Sequence, residues 1–223
     1  STRTTTLFPY TTLFRSKPDE PQNVPELMKT AAGEAVTTRE QWEQIRRPEL
    51  LRTFLEKEYG VRPVERPADL KFEQIGADAE VYDGKAIKKV VRGTYSGPGG
   101  TASFTFAAWI PKSNKPVPAF VHVSPRSADT AADLDGPRPV YYLPAEYITS
   151  RGYAALASCD YDFTPDFSMF PDTPTSGVFK VYGPKSMKDR APHEWGILSA
   201  WAWGASRLMD WIATEPSIDA QHV

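Results

Sequence analysis

Two short apolar runs constrain what this chain can fold into. Ala119-Phe120-Val121-His122-Val123 is bounded by Pro118 and by Ser124-Pro125, and Tyr153 to Cys159 follows Gly152. Neither run alternates apolar with polar residues, so each reads as a strand covered on both faces, as in a parallel sheet. Parallel strands need a crossover connection, and Pro144–Arg151 reads as a short helix ending at Gly152, a residue suited to a left-handed cap. Strand, helix, strand is the βαβ unit of an α/β sheet.

The flanking segments add elements to that unit. Ala86–Gly93 and Thr101–Ile110 are β-branched and aromatic runs on either side of Ser96-Gly97-Pro98-Gly99-Gly100, which is a hairpin signal. Phe104 and Phe106 alternate with Ser103 and Thr105, so one face there is buried. Upstream, a helix starts at Thr37 or Thr38, with Glu40 placed to close a capping box. It continues through Trp42, Ile45, Leu50, Leu51, Phe54 and Leu55 to a stop at Tyr59-Gly60, and Pro48 either divides it or opens a second helix. The clearest helix runs from His193 to Thr214. Trp195, Leu198, Ala202, Ala205, Met209 and Ile212 form its stripe, and Ile197, Trp201 and Leu208 widen it. Pro216 ends it, and Ile218–Val223 reads as the approach to another strand. Ser124–Pro144 and Asp160–Arg190 read as long loops, where function tends to concentrate.

Charge and composition exclude several classes. With 26 basic and 28 acidic side chains the net charge is −2, which is not the basic excess of a nucleic-acid binder. No apolar run approaches the roughly 18 residues of a membrane-spanning helix. Cys159 is the single cysteine, so neither an internal disulfide nor a paired-cysteine metal site is expected. No His/Glu pair has metal-ligand spacing on one helix face, and no metal or cofactor is expected. Six Trp, ten Tyr and eleven Phe read first as a well-packed core and second as a sugar-handling surface. Residues 1–16, STRTTTLFPYTTLFRS, nearly repeat a Thr-Thr-Leu-Phe unit and read as an adapter-like, non-native segment. Residues 17–36 read as an extended lead-in, and 37–223 as the N-terminal part of an α/β domain. The compartment stays open, because a replaced N-terminus would hide any export signal.

Nucleophilic hydrolysis needs a serine on a sharp strand-to-helix turn, with a base and an orienting carboxylate within reach. No Gly-x-Ser-x-Gly occurs. Ser206 is flanked by Gly204 and Arg207 but falls mid-helix, where its hydroxyl would bond the preceding turn. His122 reads as a core residue, His193 as part of the start of the long helix, and His222 as packing or exposed. Ser124 and Arg126 follow the first apolar strand, where α/β hydrolases place an oxyanion donor; an ordinary crossover loop is the alternative. Asp160 and Asp162, with Asp166, follow the second strand at the edge where α/β sheets bind ligands, or else form a solvated acidic loop.

Several stretches together resemble glucuronoyl esterases, carbohydrate esterase family 15. Thr38-Arg39-Glu40-Gln41-Trp42 leading to Arg46-Arg47-Pro48-Glu49-Leu50-Leu51 and Tyr59-Gly60 resembles that family's opening helices, and Arg151-Gly152-Tyr153-Ala154 resembles its strand after the first crossover. The most specific match runs from Trp195-Gly196-Ile197-Leu198 through Trp201-Ala202-Trp203-Gly204-Ala205-Ser206-Arg207-Leu208-Met209-Asp210 to Ile218-Asp219-Ala220. The resemblance covers roughly Thr37 to Val223. It implies a partial α/β-hydrolase fold, the N-terminal half of a three-layer sandwich, preceded by helices and a β-hairpin. It also implies a serine carboxylic-ester hydrolase that cleaves glucuronoxylan–lignin esters of the plant cell wall, in a secreted or periplasmic setting. The nucleophile, in a Gly-His-Ser-Arg-x-Gly-Lys elbow, would begin a few residues past Val223, and the carboxylate and histidine would follow. No catalytic residue of the triad therefore maps onto this chain, and the chain alone is expected to be inactive and poorly folded. Where the family often has a Gly-rich, Asn-His-containing segment, this sequence has Ser124-Pro125-Arg126-Ser127-Ala128-Asp129. That keeps an acetylxylan or other acyl esterase in view, and a non-catalytic sugar- or partner-binding domain beside it.

Overall fold

The computed structural model describes residues 25–125, 143–166, 176–184 and 186–223. Two compact units divide at Leu51/Arg52. In the first, Met28–Val36 folds back on itself instead of running extended. Val36 N–H donates to Met28 O at 2.9 Å, Lys29 and Ala35 form an antiparallel bridge, and Gly33 takes φ +87° at the turn. Arg46 is buried and secures this turn by donating to Leu27 O at 2.9 Å and Glu26 O at 3.0 Å. Helix α1 (Arg39–Gln41) is capped by Thr38, whose hydroxyl accepts from Gln41 N–H. The capping-box partner is thus Gln41, three residues after the true cap, and not Glu40. Trp42–Arg46 widens into a π turn in which Arg47 N–H donates to Trp42 O. Pro48 follows directly in the first turn of α2 (Arg47–Phe54). It has no N–H to give, and its ring would crowd a tighter preceding turn, which accounts for the widening. The second unit, from Arg52, opens with another π turn, Leu55–Tyr59, which ends at Gly60 with φ +80°. A Cβ there would lie 2.2 Å from Glu194 O, so only glycine fits both the conformation and the close approach.

The second unit is built on one sheet. Its strands are β1 (Lys71–Gln74), β2 (Ala79–Val81), β3 (Ala86–Gly97), β4 (Gly100–Pro111), β5 (Ala119–Ser124) and β6 (Ala154–Cys159). Their order is β1-β3-β4-β6-β5, with β2 also on β3. The hairpin read from the sequence is present and longer than expected, because β3 and β4 pair from Ala86↔Pro111 to Gly97↔Gly100. Only β5 and β6 pair in parallel; every other pairing among the described strands is antiparallel. The expected βαβ unit is β5–α3–β6, with α3 at Ala145–Ser150 and Gly152 at φ +83° behind it.

Helices cover both faces, which gives the expected three layers. Residues 155 and 157 of β6 point with Ala107 and Trp109 towards Leu143 and Ala145, whereas Ala154 and Leu156 point towards the long helix α6 (Ile197–Ile212). β6 is buried along its whole length, as its sequence implies. β5 is not: it stands at the edge of the described sheet, and Phe120 is 53% exposed beside Tyr153. The long helix also differs from the expectation. It starts at Ile197 with Gly196 as cap, leaving His193 in a turn four residues earlier. Its buried face is Ile197, Ala200, Trp203, Gly204, Leu208 and Trp211, and Leu198 points outward at 59% exposure. So many apolar positions left more than one stripe possible, and packing chose the one centred on the Trp203 ring. Asp160–Arg190 is not a structureless loop: its described part holds helix α4 (Asp160–Phe163), helix α5 (Gly177–Tyr182) and a 3₁₀ turn at Met187–Asp189. Ile218–Val223 forms a parallel bridge from Ile218 to Val117 and a hydrogen bond from Ala119 N–H to His222 O, rather than a full strand.

Candidate active-site edge

The carboxyl ends of the parallel pair come together at Ser124 and Cys159, which stand opposite each other in register. Ser124 is fully buried, and its hydroxyl has no hydrogen-bond partner among the described residues. Cys159 is buried too, and burial pushes its thiol up to about 11, so it stays protonated at neutral pH and is not a nucleophile. The chain turns straight from β6 into α4. Asp160, the first residue of that turn, is 8% exposed, and burial raises its carboxyl above the ordinary aspartate value.

Asp162 lies two residues further on and faces the neighbouring strand instead. Its carboxylate accepts from Thr105 N–H at 2.8 Å, while Ser158 Oγ donates to Thr105 O at 3.1 Å. The β4–β6 ladder runs from Trp109↔Ala155 to Phe106↔Ser158, so Thr105 is the first β4 residue beyond it. Two side chains satisfy the backbone groups that the ladder leaves open there. Asp162 therefore fastens the site edge to β4.

His122 shares a strand face with Ser124, two residues back. Burial lowers its pKa, which keeps the imidazole neutral, and Nε2 is buried with no partner among the described residues. Among the described residues no serine or cysteine is hydrogen-bonded to a histidine. No group of three potential metal ligands occurs among them either. Ser206 Oγ donates to Ala202 O at 3.0 Å, the mid-helix bond expected of it, and Trp195 and Trp203 are core side chains. His222 is exposed and paired with Asp219 at 2.7 Å. The carboxyl end of the parallel strand pair thus carries a buried hydroxyl on one strand and, just past the end of the other, a buried carboxyl whose pKa is raised. Among the described residues this edge brings no activated nucleophile to Ser124.

No protein-family model matches the chain. A carbohydrate esterase from an unknown prokaryotic organism is 24% identical over 230 residues, covering 90% of this chain and 51% of that protein. Among solved structures, a glucuronoyl esterase from Solibacter usitatus superposes with a TM-score of 0.74 at 25% identity, over 90% of this chain and 56% of its own. A glucuronoyl esterase of carbohydrate esterase family 15 from Teredinibacter turnerae gives 0.69 at 26%, over 89% and 49%. In sequence and fold the chain is similar to these glucuronoyl esterases. It spans about half the length of the relatives it matches.

The four residues singled out in the sequence fare differently. Ser124 ends β5 opposite Cys159, Asp160 follows Cys159 directly, Asp162 bonds Thr105 N–H instead, and Arg126 lies outside the described residues. Cys159 and His122 border the same edge and were not singled out. The signal for Cys159 was its place as the last residue of a largely apolar run. For His122 it was the two-residue spacing to Ser124 along a strand.

Proposed function

We propose that this chain is the part of a serine carboxylic-ester hydrolase that builds the oxyanion side of the active site, and that the complete protein cleaves glucuronate esters of xylan. The observation that carries this is the position of Ser124 and Asp160 at the carboxyl ends of the parallel pair. Open α/β sheets bind ligands at that edge. Ile218–His222 runs parallel to Val117–Ala119 on the open side of β5. A continuation in the same direction would bring the following turn level with Ser124, where the resemblance expects the serine elbow.

In this reading the nucleophile comes from beyond Val223, with its base and carboxylate. Ser124 donates a hydrogen bond from its hydroxyl or backbone to the carbonyl oxygen as it gains charge. Donors fixed before the reaction stabilise that oxygen most when water is excluded. Asp160 would oppose a developing oxyanion if ionised; its raised pKa reduces that opposition. The aspartyl and thiol groups take no part in bond making. Plant cell-wall glucuronoxylan is the substrate polymer.

A second reading, an acetylxylan or other acyl esterase, draws on Ser124-Pro125-Arg126-Ser127 standing where a Gly-rich, Asn-His-containing segment is usual. Hydrolysis of methyl glucuronate against an acetylated sugar by the uninterrupted gene product separates the two. The glucuronate ester should be cleaved at least tenfold faster. Preference for the acetyl ester selects the second reading, and cleavage of neither leaves a non-catalytic binding domain.

A further inference from the structure

β4 parts from β6 at Thr105. From Trp109 to Phe106 the two strands pair, and past Phe106 β4 continues only in its hairpin with β3. Thr105 is the first residue beyond the join, and side chains take both of its main-chain groups. The Asp162 carboxylate accepts from Thr105 N–H at 2.8 Å, and Ser158 Oγ donates to Thr105 O at 3.1 Å. Ser158 is also the β6 residue that pairs with Phe106 on one side and Val123 on the other. The clasp therefore closes next to the Ser124–Cys159 pair.

The element that carries Asp162 cannot hold its own direction. α4 is a single turn with no side-chain cap, closed by Thr164 N–H on Asp160 O at 3.0 Å. Its far end is fixed: the Trp201 indole N–H donates to Thr164 O at 3.0 Å, and Gly177 lies so close that a Cβ there would stand 2.1 Å from Phe163 O. Its attachment to the sheet runs through Asp162. Without that carboxylate Thr105 N–H loses its acceptor in a part-buried place, and the end of β6 is free to shift. A displacement of about 1 Å near reacting groups can cost about a hundredfold in rate. We propose that Asp162 is a positioning residue: through its clasp on Thr105 it sets the end of β6, and with it the place of Ser124 against the reacting carbonyl. This role rests on the oxyanion function proposed above for Ser124.

The test uses the uninterrupted gene product, with hydrolysis of methyl glucuronate, or of an acetylated sugar if that is the ester it cleaves, and hydrogen exchange read by mass spectrometry. Asp162→Ala should lower kcat about tenfold or more with KM within about twofold, because an oxyanion donor counts in the transition state rather than in binding. Asp162→Asn keeps an oxygen for Thr105 N–H and should stay within about threefold of the parent, which a residue acting as acid or base would not. In a Ser124→Ala background Asp162→Ala should cost less than about threefold, since its effect runs through Ser124. Exchange needs no substrate: Asp162→Ala should speed it about tenfold at residues 121–124 and 157–163 and leave residues 86–91 as in the parent. Should Asp162→Ala not fold, Ser158→Ala opens the other half of the clasp and takes its place, with a kcat loss of about threefold and the same pattern of exchange. Unchanged kcat or unchanged exchange in the clasp variant, an Asn variant as slow as the Ala variant, or losses that multiply fully with Ser124→Ala would each overturn the proposal. A parent that cleaves no ester ends the functional reading instead, and exchange alone then decides whether the clasp holds Ser124.

Discussion

Gly204→Ala ought to stabilise an ordinary helix, and here it is expected to do the opposite. In an open helix the exchange gains about 1 kcal/mol, because alanine restricts the unfolded chain more. At Gly204 an added Cβ would stand 2.3, 2.4 and 2.6 Å from three atoms of the Phe163 ring. That ring has little room to retreat: it is fully buried, 5.1 Å from Phe104 and 6.5 Å from Trp203, centroid to centroid. Trp203 in turn is tied by its indole N–H to Val64 O at 3.0 Å. Overpacking of this kind costs about 1–3 kcal/mol and more where backbone must shift, so a net loss of about 1–2 kcal/mol is expected. Phe163 is also the last residue of α4, so the same push displaces Asp160 and Asp162. Urea unfolding of the uninterrupted gene product at constant m-value measures the loss. Ser206→Ala, on the exposed side of the same helix, should stay within about 0.5 kcal/mol of the parent. A Gly204→Ala variant as stable as the parent, or more so, would refute the packing described for α4 and α6.

Other consequences are as direct. Burial alone would raise the Glu215 carboxyl, but hydrogen bonds from Lys89, at 2.8 Å, and from Ser217 N–H outweigh it and hold the pKa below its ordinary value. Its contribution to stability is therefore present above pH 4.5 and lost as pH falls through the lowered folded value; Lys89→Met should cost about 2–4 kcal/mol near pH 7 and flatten that acid limb in pH-dependent melting. Asp160 works the other way. Its raised folded pKa makes its contribution greatest below 3.8 and diminishing as pH rises through the folded value, so Asp160→Asn should gain melting temperature at pH 7 relative to pH 4, and an unchanged difference would contradict a buried carboxyl. Cys159, buried and with its thiol pushed up to about 11, should resist a thiol reagent at pH 8 until denaturant is added; rapid native labelling would show the β6 end to be open.

How much could be read beforehand follows from how local each signal is. The largely apolar Ala154–Cys159 run, the Gly152 cap and the β3–β4 turn depend on neighbouring residues and were legible. The antiparallel β4–β6 pairing was not, because nothing local to Thr101–Ile110 names its second partner. The same gap concealed the role of Asp162, whose carboxylate answers a backbone N–H 57 positions away. The rotation of α6 was hidden by its own richness in apolar residues: with Trp201, Trp203 and Trp211 on one helix, periodicity admits several faces. Ser124 and Asp160 could be placed at the site edge because the carboxyl end of a parallel strand is a position that sequence alone can name. Their burial, and the orphaned Ser124 hydroxyl, needed the fold.

The most direct measurement compares the 223-residue chain with the uninterrupted gene product, at equal concentration, in hydrolysis of methyl glucuronate. The chain alone should release no methanol above background, and the longer product should turn over, with Ser124→Ala slower by about tenfold or more at unchanged fold. Turnover by the chain alone, or a Ser124→Ala product as fast as its parent, would contradict an oxyanion side built at the end of β5 and awaiting its nucleophile.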